Sequence, residues 1–178
     1  NTIPRKISLV KLDDDSFVVS NLPIDNIVDL RGDIILQDSF VLNDGVGDRW
    51  LKLAPEYYAA IEFDIEFSVE GNGRIGFRFN NFNAQPYFVY FDPVSRKVSC
   101  NRDKAGIVSD QFVPSETSAT IPFSKNSYKW RFFFDSCSVE FFDEDGLATM
   151  TNLVYPSGVY TSVNIFKENI NDKLDVKS

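Results

Sequence analysis

Between Ala60 and Glu70 the chain alternates without interruption: Ile61, Phe63, Ile65, Phe67 and Val69 are apolar, while Glu62, Asp64, Glu66, Ser68 and Glu70 are polar. Side chains leave a strand on alternate faces, so a period of two marks a strand with one face buried and the other wet. A helix would scatter the same apolar residues around its circumference. Gly71-Asn72-Gly73 follows, a turn that tolerates positive φ, and Arg74-Ile75-Gly76-Phe77-Arg78-Phe79 resumes the alternation. The pattern predicts a hairpin in which 60–70 and 74–79 are adjacent, Arg74 faces Glu70 and Arg78 faces Glu66. Such cross-strand charge pairs contribute about 0.2–1 kcal/mol each.

Further segments rich in aromatic and β-branched residues read as strands: 6–11, 17–20, 33–42, 49–53, 87–91, 97–100, 119–123, 128–135, 139–142 and 160–166. Asp92-Pro93, Pro114-Ser115, Lys125-Asn126, Asp145-Gly146 and Pro156-Ser157-Gly158 punctuate them. Only 24–31 has room for a helical turn or two. Short strands at regular intervals predict an all-β fold, a two-sheet antiparallel β-sandwich of the concanavalin-like jelly-roll kind. No internal repeat, low-complexity tract or linker interrupts it.

Composition narrows the chemistry. Eighteen basic against twenty-six acidic side chains give a net charge of -8, and no basic cluster exists, which argues against nucleic acid and anionic membrane surfaces as partners. There is no histidine, which removes Ser-His-Asp and Cys-His nucleophile pairs and His-based zinc sites. Cys100 and Cys137 lack C-x-x-C spacing; they read as buried thiols, with a single disulfide as the alternative. No cofactor or metal is implied. The start at Asn1 has no initiator Met and no apolar run, so the chain is expected to be a soluble piece of something longer, cytoplasmic or secreted according to its parent.

Four segments carry a resemblance. Thr2-Ile3-Pro4-Arg5-Lys6-Ile7-Ser8-Leu9 resembles the T-[LI]-P-R-x-[LI]-x-L junction of glycoside hydrolase family 32, the β-fructosidases that include invertases, inulinases and levanases. Pro23-Ile24-Asp25-Asn26-Ile27-Val28-Asp29-Leu30-Arg31 is similar to the family's P-x-x-E-L-x-x-L-R connector, with Asn26 and Ile27 departing from it. Asn101-Arg102-Asp103-Lys104-Ala105-Gly106 resembles D-R-S-x-x-G. The stretch from Phe134 to Gly146, with Thr149, Thr151 and Tyr155-Pro156 beyond it, resembles V-D-x-S-S-V-E-V-F-x-N-D-G and its trailing T and F/Y-P. The resemblance implies the C-terminal sandwich module that follows the catalytic propeller: 1–32 as junction and connector, 33–178 as the sandwich domain, and the propeller as partner. The family's W-x-N-D-P and R-D-P motifs and its acid Glu beside Cys do not occur here; the only Asp-Pro is Asp92-Pro93. Retaining hydrolysis needs two carboxyl groups about 5–5.5 Å apart, and nothing nominates such a pair. The chain alone is therefore expected not to be an enzyme.

The resemblance extends to family 66 carbohydrate-binding modules, which implies fructan or terminal fructose as an alternative partner. Candidate sugar-binding side chains are Arg131, Asp135 and Glu140, with Arg78 as a further candidate, because charged groups pair with adjacent hydroxyls. The competing reading has Asp135 and Glu140 holding the amides of the Ser136-Cys137-Ser138 turn. Trp50, Tyr57, Tyr58, Tyr87 and Tyr90 offer stacking faces, against which stands ordinary core and edge packing. The strand Trp130-Arg131-Phe132-Phe133-Phe134 has aromatics on both faces, which places it centrally between two sheets or beneath another domain. The acidic loops 13–16, 43–48 and 143–146 lack the pattern of a calcium loop and read as solvated turns.

Overall fold

The alternating segment Ala60–Glu70 (β5) is a strand whose Phe63, Ile65 and Phe67 are buried. The computed structural model describes residues 2–43, 47–53, 60–107, 114–169 and 172–177. Ahead of β5 lie β1 (Arg5–Lys11), β2 (Phe17–Pro23), a 3-10 helix (Asp25–Leu30), β3 (Ser39–Leu42) and β4 (Asp48–Lys52). After it come β6 (Ile75–Asn81), β7 (Tyr87–Asp92), β8 (Lys97–Asn101), β9 (Glu116–Thr120), β10 (Tyr128–Asp135), β11 (Ser138–Asp143), β12 (Thr149–Leu153), β13 (Tyr160–Lys167) and β14 (Lys173–Lys177). One six-stranded sheet runs β12-β11-β10-β5-β14-β3, a second runs β4-β13-β6-β7-β8-β9, and β1 and β2 form a separate two-stranded ribbon. The two large sheets face each other as an antiparallel sandwich.

The expected hairpin between 60–70 and 74–79 does not form. Both edges of β5 are taken, by β10 and by β14, while β6 lies in the other sheet between β13 and β7. Gly71-Asn72-Gly73 is a corner between sheets: Gly71 has φ 116°, and Asp172 accepts the Gly73 amide at 2.5 Å. The two alternating segments meet face to face across the core, Phe63 against Phe79 at 5.8 Å and Phe67 against Phe77 at 5.6 Å between ring centroids. Charge pairing follows the true neighbours. Glu70 pairs with Lys173 at 3.3 Å, Glu66 with Lys129 at 3.4 Å and Arg74 with Glu168 at 2.7 Å, and neither predicted pair exists.

The core is aromatic. Trp130, Phe132 and Phe134 of the central strand β10 point inward among Phe67, Phe77, Phe79 and Phe141. Tyr87 is buried with them, its hydroxyl accepting a hydrogen bond from Asn152 at 3.0 Å, and burial pushes its pKa well up. It therefore offers no stacking face. Lys167 is buried too, donating to the carbonyls of Leu42 at 3.0 Å and Asn43 at 2.8 Å and to that of Asp172, so one ammonium ties β13 to chain ends of the opposite sheet. Cys100 is a buried thiol, pushed up to about 12 by loss of water, whereas Cys137 is exposed at a turn tip and also free. The expectation of two buried thiols thus holds for one. Of segment 33–42, only 39–42 pairs as a strand.

Candidate functional site

The outer face of the first sheet carries the N-terminal ribbon, and three of the four segments singled out in the sequence supply attachments for it and its connector. Glu140 on β11 is only 3% exposed and accepts from the Ile3 amide at 2.7 Å and from Arg5 at 2.7 Å; Arg5 also donates to Thr151 at 2.6 Å and lies over the Phe142 ring. The connector ends on Arg31, whose guanidinium donates to Glu62 at 2.6 and 2.5 Å and to Asp64 at 3.3 Å on the wet face of β5. The turn at 143–146 seats β2: Ser20 donates to the Asp145 carbonyl at 2.6 Å, and the Asn21 amide donates to the Gly146 carbonyl at 2.8 Å. Gly146 has φ 67°, and a Cβ there would stand 2.6 Å from the Asn21 carbonyl oxygen, so a side chain would strain the turn and push the ribbon away. In the third segment the buried Arg102 donates to the Pro114 carbonyl at 3.1 Å and the Leu153 carbonyl at 2.9 Å, clamping two loops.

Between ribbon and sheet lies a cleft of about 690 Å³ walled by Lys6, Ser8 and Ser20 on one side and Asp64, Lys129 and Arg131 on the other. Two ionisable groups beside it are perturbed. Burial raises the Asp143 carboxyl above the usual range, opposed by amides of Ala148 and Leu147, and its Oδ2 has no hydrogen-bond partner among the described residues. Burial lowers Lys125, but hydrogen bonds to Asp145 and Glu144 outweigh it and hold that ammonium above a normal lysine.

The four predicted sugar-binding side chains do not converge. Arg131 reaches Asp64 at 3.0 Å and Glu62 at 3.2 Å and lines the cleft. Asp135 accepts the Ser136 amide at 2.7 Å at the turn tip, while Glu140 holds the ribbon. Arg78 belongs to the other sheet, on whose outer face Trp50, Asn164, Arg78, Phe88, Asn101 and Glu116 are consecutive cross-strand neighbours from β4 to β9. Its guanidinium lies over the Phe88 ring, 5.7 Å from the centroid, and its Nε is buried without a hydrogen-bond partner among the described residues. Beside it, Trp50 is 53% exposed and donates its indole N–H to Asp48 at 3.0 Å. Tyr90 is half-buried under Arg74, and Tyr57 and Tyr58 lie outside the described residues. Loop 13–16 is a turn in which Asp14 accepts the Ser16 amide at 3.0 Å; part of 43–48 lies outside the described residues. Among the described residues, no group of three or more Cys, Asp and Glu is arranged to hold a metal ion, and no helix is long and apolar enough to cross a membrane.

The anchors of Arg5, Arg31 and Glu140 were not assigned from sequence. Their readable signal was the recurrence of Arg in two N-terminal segments and of carboxylates on the wet face of β5, which needed the topology to be joined.

Three comparisons bear on these features. Residues 42–178 match the family model described as glycosyl hydrolases family 32 C terminal. A levanase from Bacillus sp. (strain L7) is 24% identical over 170 residues, which is 94% of this chain and 18% of that enzyme. Among solved structures, exo-inulinase from Aspergillus awamori has the same fold with a TM-score of 0.74 at 18% identity, over 99% of this chain and 35% of its own. The fructofuranosidase from Schwanniomyces occidentalis superposes with a TM-score of 0.69 at 12% identity, over 99% of this chain and 40% of its own. The chain thus spans under a fifth of the levanase and under half of either solved enzyme. With a two-sheet sandwich whose sequence matches the family model from Leu42 onward, the chain belongs to the glycosyl hydrolase family 32 C-terminal family.

Proposed function

We propose that this module packs on and stabilises the catalytic propeller of a β-fructosidase, acting on sucrose or fructans, with residues 1–32 as the junction. One observation carries the reading: the ribbon is fastened to the sandwich on one side and turns an apolar row outward on the other. Leu9 opposes Val19 and Ile7 opposes Asn21, and Ile7 and Leu9 are each 70% exposed, with Phe17 beyond them. Burying such side chains contributes about 1.5–3 kcal/mol each, and the outer edge of β1 has no strand partner among the described residues. The test is Leu9→Asp with Val19→Asp in a family 32 enzyme carrying this module. The enzyme's melting temperature falls while that of the separate chain does not; an unchanged enzyme sinks the proposal.

Fructan recognition is a second reading, favoured by Arg78. Of the eight arginines, it alone has no hydrogen bond or ion pair to an acceptor among the described residues. The similar enzymes are named for levan and inulin, which supplies the ligand class. Calorimetric titration with levan and inulin oligosaccharides tests it: saturable heat supports recognition, and none up to millimolar ligand leaves packing alone.

A further inference from the structure

We propose that a groove on the outer face of the second sheet, floored by Asn164 and walled by Trp50 and Arg78, binds one ring of an uncharged saccharide. The proposal deepens the fructan reading by placing the site, and rests on it for nothing but the ligand class. Trp50 and Arg78 are the two cross-strand neighbours of Asn164, so their backbones stand about 10 Å apart, two inter-strand spacings. Asn164 is shorter than Trp50 or Arg78 and is buried between their strands, so its side chain does not rise from the sheet to their height.

The walls match the two sides of a sugar. Trp50 stands on the edge strand β4 with its ring exposed, and its indole N–H is already held by Asp48, which also accepts from Asn164 at 2.9 Å. What it has left to offer is an apolar face, which suits the C–H side of a ring. Opposite, Arg78 presents a planar fork of donors that fits adjacent hydroxyls. Its contact with Phe88 orients the fork, and its N–H groups make no hydrogen bond among the described residues. An anion is the weaker match, because Asp48 shares the groove and the chain carries a net charge of -8. A purely apolar partner would bury Asp48, Asn164 and Arg78 against nothing.

The chain contains a built-in reporter. Of its two tryptophans, Trp130 is buried in the core, so a change in emission on adding ligand reads Trp50. Levan, inulin, xylan and cellulose oligosaccharides are titrated into the 178-residue chain, with inorganic phosphate and citrate in parallel, by fluorescence and calorimetry. The expected result is a saturable response to at least one neutral oligosaccharide. Affinity then falls about tenfold or more in Arg78→Gln and Trp50→Ala, with melting temperatures held. Arg78→Lys, which keeps the charge and loses the fork, weakens binding as well, whereas an ion-pair site would tolerate it. Binding of a xylan or cellulose fragment in the groove, with no fructan response, supports the site and overturns the fructan reading. Fructan binding untouched by these substitutions overturns the site and leaves the reading standing. Response only to phosphate or citrate, or to nothing, overturns the site.

Discussion

Phe67 touches Phe77, Phe91, Tyr128 and Trp130, with ring centroids 4.7 to 6.0 Å away, and is 1% exposed. Its truncation removes both transfer energy and the contacts of rings that cannot collapse into the gap. Phe67→Ala is therefore expected to cost about 3–5 kcal/mol in urea unfolding, and a loss below about 1 kcal/mol would mean that the core repacks freely. Asp143 gives a pH-dependent case. Its carboxyl is held above the ordinary value of 3.8 by burial, so the folded chain binds that proton more tightly than the unfolded one. Its contribution is favourable below the unfolded value and is lost as pH rises through the folded one. Asp143→Asn keeps an oxygen for the Ala148 amide, now at 2.9 Å, and never ionises. The variant gains stability relative to wild type between about pH 3 and about pH 7. Urea midpoints differing by the same amount at both ends of that range would show that burial does not govern this group.

At the level of elements, the ribbon hangs on an unequal ion pair: the Glu140 side chain is almost fully covered, and that of Arg5 is partly in water. Arg5→Ala strands a buried carboxylate, while Glu140→Gln leaves a guanidinium that water can reach, so the first is the costlier, by about 1–3 kcal/mol. Hydrogen exchange should show β1 and β2 losing protection in Arg5→Ala before the sandwich does; simultaneous loss in both would mean the ribbon and core unfold as one. Strand existence was legible wherever period two or clustered aromatics marked a buried face, as in β5, β7, β10 and β13, and the 3-10 helix was expected at 24–31. β12 and β14 were not foreseen: Thr149–Leu153 is mostly polar, and Lys173–Lys177 is only five residues long, although its Leu174 and Val176 alternate with charged residues and are buried in the core. Missing β14 is what made β6 look like the neighbour of β5, since alternation says which face is buried and not which strand lies alongside. The same gap scattered the candidate site, because Arg78 and Arg131 sit on strands of similar pattern in different sheets.

On the scale of the whole molecule, the two outer faces of the sandwich differ in kind. The first is roofed by a ribbon whose far side is apolar, and the second, which no strand covers among the described residues, is polar apart from a few aromatics. A chain with net charge -8 repels its copies over most of its surface, but Ile7, Leu9, Phe17 and Val19 form an uncharged strip, and the outer edge of β1 beside it has no strand partner among the described residues. Separated from a propeller, that strip is the place where two copies are expected to meet, pairing ribbon to ribbon. Sedimentation should show a concentration-dependent dimer that tightens as salt screens the net charge, and Leu9→Asp with Val19→Asp should return the chain to monomer without changing its melting temperature. A dimer insensitive to those substitutions would place the sticky surface elsewhere and remove the main physical argument for the ribbon as the docking face. A chain that stays monomeric and binds no apolar dye would do the same, because an apolar strip that attracts neither its own copy nor a dye offers no driving force for holding a propeller.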